Sequence, residues 1–394
     1  MKNTLTLLFV FLVITGICQT SVPKKESGSK FSFTCANLYF QIDSAKGARI
    51  WSFKCDDKEL LYTGGNDPGS TFWPAPQSVW NWPPPSNLDN KAYSTSITGN
   101  KITFKGQTDT KTNLRFYKTM YGNEKDTSII IEYVMKNEKA TAQTWAPWEI
   151  SRVLGKGLTV FAKGDGEFFY RDQDKNEVLT EEVGGYVWYD QDNNEVCTTD
   201  NKFNGDGKGW LAHVVDGNML FIKKFEDVAV SKAAPGEAEV EVYTSVGDTY
   251  CELENQGTYA SIASKDSVMW KVIWFARKLP SSVDVSVGSK SLTDYIEDVL
   301  ARTKEPSGKE DLKMGSAIKI YPNPADSEIT VESNLGQYDN VLLAIYSVKG
   351  QMMSKHSVDQ SRKKISLDGL PGGMYVYELS DGSKVLGRGN ITLK

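Results

Sequence analysis

The alternation of apolar and polar positions predicts short β-strands along most of the chain. From Phe31 to about Arg277, β-branched and aromatic residues recur in brief runs separated by turn signals such as Asp216-Gly217. Representative runs read ARIWSF, KITFKG, SIIIEYVMKN, LFIKKF, AEVEVYTS and VMWKVIWFAR. We therefore predict an all-β fold, with one large antiparallel β-sandwich over residues 30–280, because a strand-only region of this length requires packed sheets.

The hydrophobic period changes after this region. Residues 291–304 predict a helix that begins near Ser291, with Asp294 three positions later as a plausible capping partner. Residues 304–316 are polar and contain Pro and Gly, which is typical of a linker. We assign residues 281–316 to a short helix and linker. The apolar face of the helix is formed by Leu292, Ile296, Val299 and Leu300.

Strand alternation resumes over residues 317–394 and predicts a small antiparallel β-sandwich. This segment contains the motifs YPNPA, IYSVKGQ and ISLDGLPGGMYVYEL. These motifs resemble the C-terminal sorting domain of the type IX secretion system. The resemblance implies export across both membranes of a Gram-negative bacterium. It also implies that the tail contacts the secretion machinery and serves as a removable address.

The N-terminus predicts entry into an export pathway. Lys2 precedes an apolar run from Leu5 to Ile17 that is too short to span a membrane, which is typical of a signal peptide over residues 1–19. Ile17 stands before Cys18, where a lipidation motif has a small residue, so the sequence argues against a lipid anchor. No later segment is apolar enough for a transmembrane helix. We expect a secreted or cell-surface protein.

Composition excludes several classes of partner. The net charge is −5, so there is no basic excess to bind nucleic acid. The chain has only 2 histidines, too few for a three-histidine zinc site or a pair of HExxH ligands. We therefore expect no metal and no cofactor.

The cysteines leave two possibilities open. Cys35 and Cys55 lie in neighbouring apolar stretches and could face each other on paired strands in an oxidising compartment. Alternatively, these two together with Cys197 and Cys251 are buried thiols, since an even count does not determine a pairing.

The segment STFWPAPQSVWNWPPPSNLDN has the most unusual composition in the chain. Trp73, Trp80 and Trp82 alternate with prolines, which cannot donate the hydrogen bonds of a central strand. We expect a rigid loop that presents flat aromatic surfaces, which stack on sugar rings at low entropic cost. The alternative is that these indoles cover one end of the sandwich core.

The segment TWAPWEISRV predicts a strand with two different faces. Glu149 lies on one face, whereas Trp148 and Arg152 lie on the other. Glu149 or Arg152 could hydrogen-bond sugar hydroxyls. The alternative is a surface ion pair beside a core tryptophan.

Three further residues are candidates for acid–base chemistry. His213 is the only imidazole before the tail, and it shares a strand face with apolar neighbours, which is also typical of a core histidine. Glu252 and Glu254 share one strand face, where two carboxylates repel each other and often raise one pKa of the pair. An exposed acidic strand would produce the same pattern.

Four segments together resemble a domain family of unknown function with the galactose-mutarotase-like supersandwich: GSTFWPAPQSVWNWPPP, APWEISRV, GWLAH followed by LFIKKF, and YCELENQG. The resemblance covers residues 30–280 and implies a carbohydrate partner, either a mono- or a polysaccharide. In the wider mutarotase group a late strand carries a catalytic Glu, which Glu254 matches, and His213 is placed like the second histidine. Trp148 and Glu149 stand where the first histidine of that group lies.

The leading hypothesis is a secreted carbohydrate-recognising protein whose ligand contacts Trp73, Trp80, Trp82, Trp148, Glu149, Arg152 and Glu252. The alternative is an aldose epimerase with Glu254 as the base and His213 as the acid. A third possibility is a surface protein whose tryptophans all lie in the core.

Overall fold

The chain divides into two compact units, Met1–Thr303 and Lys304–Lys394. The predicted signal peptide over residues 1–19 and the predicted linker over residues 304–316 lie outside the part of the chain that the structure describes. The computed structural model of the protein describes residues 20–65, 67–166, 169–170, 180–191, 196–302, 318–333, 341–347, 351–358, 362–381 and 384–393.

The first unit is built almost entirely from strands, as the alternating pattern predicts. The strands are β1 (Lys24–Lys25), β2 (Lys30–Cys35), β3 (Leu38–Asp43), β4 (Arg49–Cys55), β5 (Lys58–Glu59), β6 (Ser70–Ala75), β7 (Ser94–Thr98), β8 (Lys101–Lys105), β9 (Leu114–Asn123), β10 (Ser128–Asn137), β11 (Gln143–Leu154), β12 (Leu158–Ala162), β13 (Phe169–Tyr170), β14 (Thr180–Val183), β15 (Tyr186–Asp190), β16 (Asn201–Gly205), β17 (Trp210–Val215), β18 (Met219–Lys224), β19 (Val240–Thr244), β20 (Tyr250–Gln256), β21 (Ala260–Ile262) and β22 (Ser267–Lys278).

These strands form two large antiparallel sheets. The twelve-stranded sheet runs β1-β2-β3-β4-β6-β11-β20-β19-β16-β13, with β5 beside β4 and β21 beside β11. The ten-stranded sheet runs β14-β15-β12-β17-β18-β22-β10-β9-β8-β7. Phe53 of the first sheet lies 5.5 Å from Phe221 and 5.4 Å from Trp274 of the second, measured between ring centroids. The sheets therefore pack face to face, and the prediction of a large all-β sandwich is confirmed.

Among the residues that the structure describes, helical structure is confined to short segments. The α-helices are α1 (Ser86–Asp89) and α2 (Lys290–Arg302), and single 3-10 turns occur at Gln77–Val79, Val230–Lys232 and Val246–Asp248. The apolar face of α2 packs into the core of the first unit, as its periodicity predicts. No helix in the described part of the chain has the length and apolarity that a bilayer crossing requires.

The start of α2 differs from the expected one. The helix begins at Lys290, and the amide of Leu292 donates to the Ser289 hydroxyl over 3.3 Å, so Ser289 rather than Ser291 is the N-cap. The Ser291 hydroxyl instead accepts a hydrogen bond from the Asp284 amide over 2.9 Å.

The topology excludes a disulfide between Cys35 and Cys55. Both residues are directly opposite Leu38, because β3 lies between β2 and β4. Two strand spacings amount to about 9–10 Å, whereas bridged cysteines have Cα atoms within about 7 Å. Of the two possibilities that the sequence left open, the one in which these residues face each other on paired strands is therefore excluded, since both strands pair with β3 and not with each other. All four cysteines beyond the predicted signal peptide are buried.

The second unit has its own strands and core, as predicted for a small sandwich. Its strands are β23 (Ile318–Tyr321), β24 (Glu328–Ser333), β25 (Val341–Ser347), β26 (Met352–Ser357), β27 (Arg362–Ser366), β28 (Gly373–Asp381) and β29 (Lys384–Leu393). One sheet has the order β23-β24-β27 and the other β26-β25-β28-β29. Apolar side chains of the two sheets, among them Ile329, Leu343 and Leu379, form one buried cluster.

A buried ion pair joins the two large sheets. Lys223 Nζ on β18 lies 3.0 Å from Glu149 Oε1 on β11, and both side chains are 0% exposed. Tyr133 and Trp274 donate to the two carboxylate oxygens of Glu149 over 2.5 and 2.9 Å. Lys223 also donates to the Leu253 carbonyl over 2.8 Å. The pair is thus satisfied by hydrogen bonds, which is the condition for burying two charges.

We expect Lys223→Met to lower the free energy of unfolding by about 3–5 kcal/mol, because it leaves the Glu149 charge buried without its cation. Urea denaturation followed by tryptophan fluorescence measures this loss. Lys278→Met, on the exposed end of β22, is the control and should cost at most about 0.5 kcal/mol. Equal effects of the two substitutions would contradict the assignment.

A second buried carboxyl group lies beside β19. Glu239 is 2% exposed and accepts hydrogen bonds from the amides of Gly207 and Gly209 over 2.8 and 3.0 Å. Burial, reinforced by the nearby carboxylates Asp227 and Asp206, raises the pKa of Glu239 to about 8. The carboxyl is therefore more easily protonated in the folded chain than in the unfolded chain.

This shift predicts a pH dependence of stability. The stabilising contribution of Glu239 should be fully present below pH 4.5 and lost as the pH rises to about 8, because the unfolded chain releases the proton first. Glu239→Gln should flatten the fall of the unfolding free energy across this window. Glu226→Gln, which removes an exposed carboxylate nearby, should leave the fall unchanged. Denaturation curves at a series of pH values distinguish the two.

Candidate functional site

Four residues on neighbouring strands form one row across the twelve-stranded sheet. Arg152 on β11 is directly opposite Glu252 on β20, which is opposite Tyr243 on β19. Tyr243 is in turn opposite Lys202 on β16. Directly opposed residues project their side chains from the same face of a sheet. The row therefore places two cations, a carboxylate and a phenol on one face.

This face is the one turned away from the core between the sheets. On β11, Glu149 points into the core, where it meets Tyr133 and Trp274 of the other sheet. Side chains alternate along a strand, so Trp148 and Arg152 project from the opposite face. The sequence pattern correctly predicts which β11 side chains share a face, but it does not show which of the two faces lies against the core.

The row forms the floor of an open cleft of about 370 Å³, a volume within the range of small-molecule sites. Five aromatic rings and several polar side chains line it together. The lining residues are Asp67, Trp73, Gln77, Trp82, Trp148, Arg152, Asp200, Asn201, Lys202, Tyr243, Tyr250 and Glu252.

Arg152 is held rigidly at one end of the row. Its Nε lies 2.8 Å from Glu252 Oε1, and its side chain is 3% exposed. The guanidinium lies 5.8 Å from the centre of the Trp73 ring. Burial lowers the pKa of Arg152, but the carboxylates of Glu252 and then Asp67 outweigh it and raise that pKa above its usual value. The Nη1 atom is buried and has no hydrogen-bond partner within the described residues.

Lys202 occupies the other end of the row. Its ammonium lies 2.5 Å from Glu241 and 2.9 Å from Glu254, and 5.0 Å from the centre of the Trp148 ring. Burial lowers the pKa of Lys202, but the two carboxylates outweigh it and raise that pKa above its usual value. An ammonium has three N–H donors, so two fixed hydrogen bonds leave one for the cleft.

Glu254 lies beneath the cleft floor. It accepts hydrogen bonds from Trp148 Nε1 over 2.8 Å and from Lys202 over 2.9 Å, and it is 0% exposed. Burial raises its pKa well above the usual range, and the neighbouring carboxylates of Glu241 and Glu252 add to this shift against the opposing effect of Lys202. Glu254 therefore supports Lys202 and Trp148 and does not itself line the cleft. Glu252, its partner in the predicted acidic pair, does line it.

The tryptophans of the proline-rich loop have different environments. Trp73 and Trp82 line the cleft with Trp148, and Trp82 is 61% exposed. Trp80 is 0% exposed, and its indole donates to the Pro74 carbonyl over 2.7 Å. The expectation that Trp80 contacts a ligand is thus not met, because Trp80 packs against Trp73 from below. The distance between the two ring centroids is 5.9 Å.

Glu149 also departs from the expectation of a ligand contact. Its carboxylate is satisfied by Lys223, Tyr133 and Trp274 inside the sandwich. The alternation that points Arg152 into the cleft points Glu149 away from it. Glu149 is therefore part of the core, and Arg152 is the polar residue of this strand that lines the cleft.

The structure separates His213 from Glu254. His213 lies on β17 directly opposite Phe221, which packs against Phe53 in the core between the sheets. Its Nδ1 is 3.0 Å from the Thr159 hydroxyl, and burial lowers the pKa of His213 to about 4. Glu254 projects from the outer face of the other sheet. The two residues therefore do not flank a common ligand.

Several cleft residues were not predicted from the sequence. Tyr243 and Lys202 lie on β19 and β16, and they come near Arg152 only because β16 pairs with β19 and β19 pairs with β20. Asp67 and Asp200 precede strands and carry no recognisable motif. Among the described residues, no group of three or more His, Cys, Asp or Glu side chains is arranged to hold a metal ion.

The solved structures that are similar to this chain include several proteins described as galactose mutarotase-like or galactose mutarotase related. A galactose mutarotase-like protein from Lactobacillus casei has a TM-score of 0.46 at 9% identity, and the match covers 63% of this chain and 100% of that one. A galactose mutarotase-like protein from Clostridium acetobutylicum has a TM-score of 0.44 at 10% identity, covering 66% and 99%. A galactose mutarotase related enzyme from Lactobacillus acidophilus has a TM-score of 0.41 at 10% identity, covering 68% and 100%. No curated protein matches the chain.

The second unit is matched at the level of sequence. Residues 319–389 match the family described as the secretion system C-terminal sorting domain. The prediction from the tail motifs is confirmed, and the chain carries a sorting domain of the type IX system that directs it to the cell surface or the medium.

Proposed function

We propose that the exported protein binds carbohydrate in the cleft of the first unit. The observation that carries this proposal is the combination of aromatic rings and fixed polar groups in one open cleft. Flat rings stack on the apolar faces of sugars, whereas hydroxyl groups require donors and acceptors at defined positions. Arg152 and Glu252 supply a donor and an acceptor side by side on the floor.

The rigidity of these groups supports the proposal. Arg152 is held by Glu252, Lys202 by two carboxylates, and Trp73 by a 2.8 Å hydrogen bond from its indole to Asp89. Groups that are already ordered lose little conformational entropy when a ligand binds. The cleft therefore suits a polar ligand that contributes many weak contacts, as a sugar does.

The epimerase alternative lacks a supporting arrangement of side chains. Ring opening needs an acid and a base within hydrogen-bond reach on two sides of one sugar. His213 lies in the core, and Glu254 lies below Trp148 and Lys202, so neither reaches the cleft. Recognition without chemistry is the simpler function for these residues.

We expect Trp82→Ala to weaken glycan binding by about 2–10-fold, because a stacking contact contributes about 0.5–1.5 kcal/mol beyond the buried area. Isothermal titration with glycans selected on an array measures the change. Thermal stability should hardly change, since Trp82 is 61% exposed.

Two tryptophans provide matched controls for this prediction. Trp51→Ala removes a half-buried indole from β4, outside the cleft, and should leave binding unchanged. Trp80→Ala should lower the unfolding free energy by about 3–5 kcal/mol, because it opens a cavity below Trp73. If Trp82→Ala leaves glycan affinity unchanged, the proline-rich loop is not part of the binding site.

Deletion of residues 317–394 tests the address function of the second unit. The first unit has its own core, so we expect the truncated protein to fold and to accumulate in the periplasm. Cell fractionation with immunoblotting measures its distribution, and the full-length chain is the control. Normal arrival of the truncated protein at the surface or in the medium would contradict the assignment.

A further inference from the structure

We infer that the cleft selects cationic, amine-bearing sugars over neutral ones and disfavours anionic sugars such as uronates. This inference rests on the proposed carbohydrate function and adds the chemical class of the ligand. Two independent features of the cleft support it, namely the balance of charges around its floor and the aromatic character of its walls.

The cations at the cleft already have carboxylate partners. Arg152 is paired with Glu252 at 2.8 Å. Lys202 is paired with Glu241 at 2.5 Å and with Glu254 at 2.9 Å. Each of these ion pairs has at least one member almost fully buried, so water and salt screen them weakly. A carboxylate or sulfate group of a ligand would therefore have to compete with a carboxylate of the protein for either cation.

A third cation lies directly behind the lining. Arg49 is 3% exposed and is paired with Asp89 at 3.2 Å, and the Asp89 side chain is 2% exposed. Its weaker contact with Asp67 is 3.4 Å long. Arg49 is therefore largely neutralised by Asp89.

The remaining carboxylates lie on the solvent side of the cleft. The Asp67 side chain is 45% exposed. Asp200 is exposed and accepts hydrogen bonds from the Val246 amide over 3.2 Å and from the Tyr243 hydroxyl. Both groups line the cleft, and neither hydrogen bond to Asp200 brings a compensating positive charge. The cleft consequently presents a surplus of negative charge to a ligand.

The aromatic walls favour the same sign of ligand charge. The faces of Trp and Tyr rings attract ammonium groups, and the attraction strengthens as water is excluded. Trp73 and Trp148 already face Arg152 and Lys202 at 5.8 and 5.0 Å. Trp82 lies beside Trp73, with 5.9 Å between the ring centroids, and it is exposed and therefore available to a cation on the ligand. An anion would instead meet ring faces that repel it.

The experiment compares three tetrasaccharides by isothermal titration against the purified protein. They are a glucosamine tetramer, the matching N-acetylglucosamine tetramer and a galacturonate tetramer. At low ionic strength we expect the amine form to bind about 5–25-fold more tightly than the acetamide form, and the uronate to bind most weakly. The difference should shrink at 1 M salt, where the Debye length is about 3 Å.

Substitutions locate the source of the preference. Asp67→Asn and Asp200→Asn should each reduce affinity for the amine tetramer about 2–5-fold more than affinity for the acetamide tetramer. Asp216→Asn is the control, because it removes the same charge from an exposed hairpin turn of the other sheet. An equal loss in the control would assign the effect to net charge rather than to the cleft and would overturn the inference.

The outcomes separate this inference from the function on which it rests. Equal affinity for the amine and acetamide forms, tighter binding of the uronate, or no binding of any tetramer would each overturn the preference. The carbohydrate function itself is decided by the glycan array and by Trp82→Ala. If glycan binding is lost in Trp82→Ala but does not depend on the charge of the ligand, the proposed carbohydrate binding stands and the preference for amine-bearing sugars does not.

Discussion

The buried ion pair between Glu149 and Lys223 constrains the rest of the first unit. It joins the two sheets at their centre, and its hydrogen bonds from Tyr133 and Trp274 are satisfied only when Glu149 points into the core. A slip of β11 by one residue would exchange the two faces of the strand. It would place Arg152 in the core and leave Lys223 without its carboxylate. The ion pair therefore determines the register on which the cleft depends.

Given that register, antiparallel pairing builds the cleft floor from residues that are distant in sequence. Arg152, Glu252, Tyr243 and Lys202 come from four strands and meet in one row. The carboxylates below and beside the two cations hold them in place, so the floor is ordered before a ligand arrives. This arrangement gives a structural role to Glu241 on β19 and to Glu252 and Glu254 on β20: they neutralise and position the neighbouring cations.

Under the proposed function, the first unit recognises the ligand and the second unit directs export. Every residue of the cleft belongs to the first unit, and the sorting domain has its own apolar core. A tail that folds by itself can serve as an address without contributing to binding. The fold class and the sorting role of the tail were predicted from the sequence, because its strands alternate clearly and its motifs are specific to the sorting domain.

For the first unit, the sequence alone determined the fold class, the strand alternation and the face that each residue of β11 shares with its neighbours. These features follow from a period of two, which is visible in any single strand. The sequence did not determine which face is covered, and this is why Glu149 and Trp80 were expected at the ligand. It also did not determine the strand order that brings Lys202 and Tyr243 to Arg152, or the separation of His213 from Glu254. Those relations depend on the pairing and packing of segments far apart in the chain, so only the tertiary structure decided them.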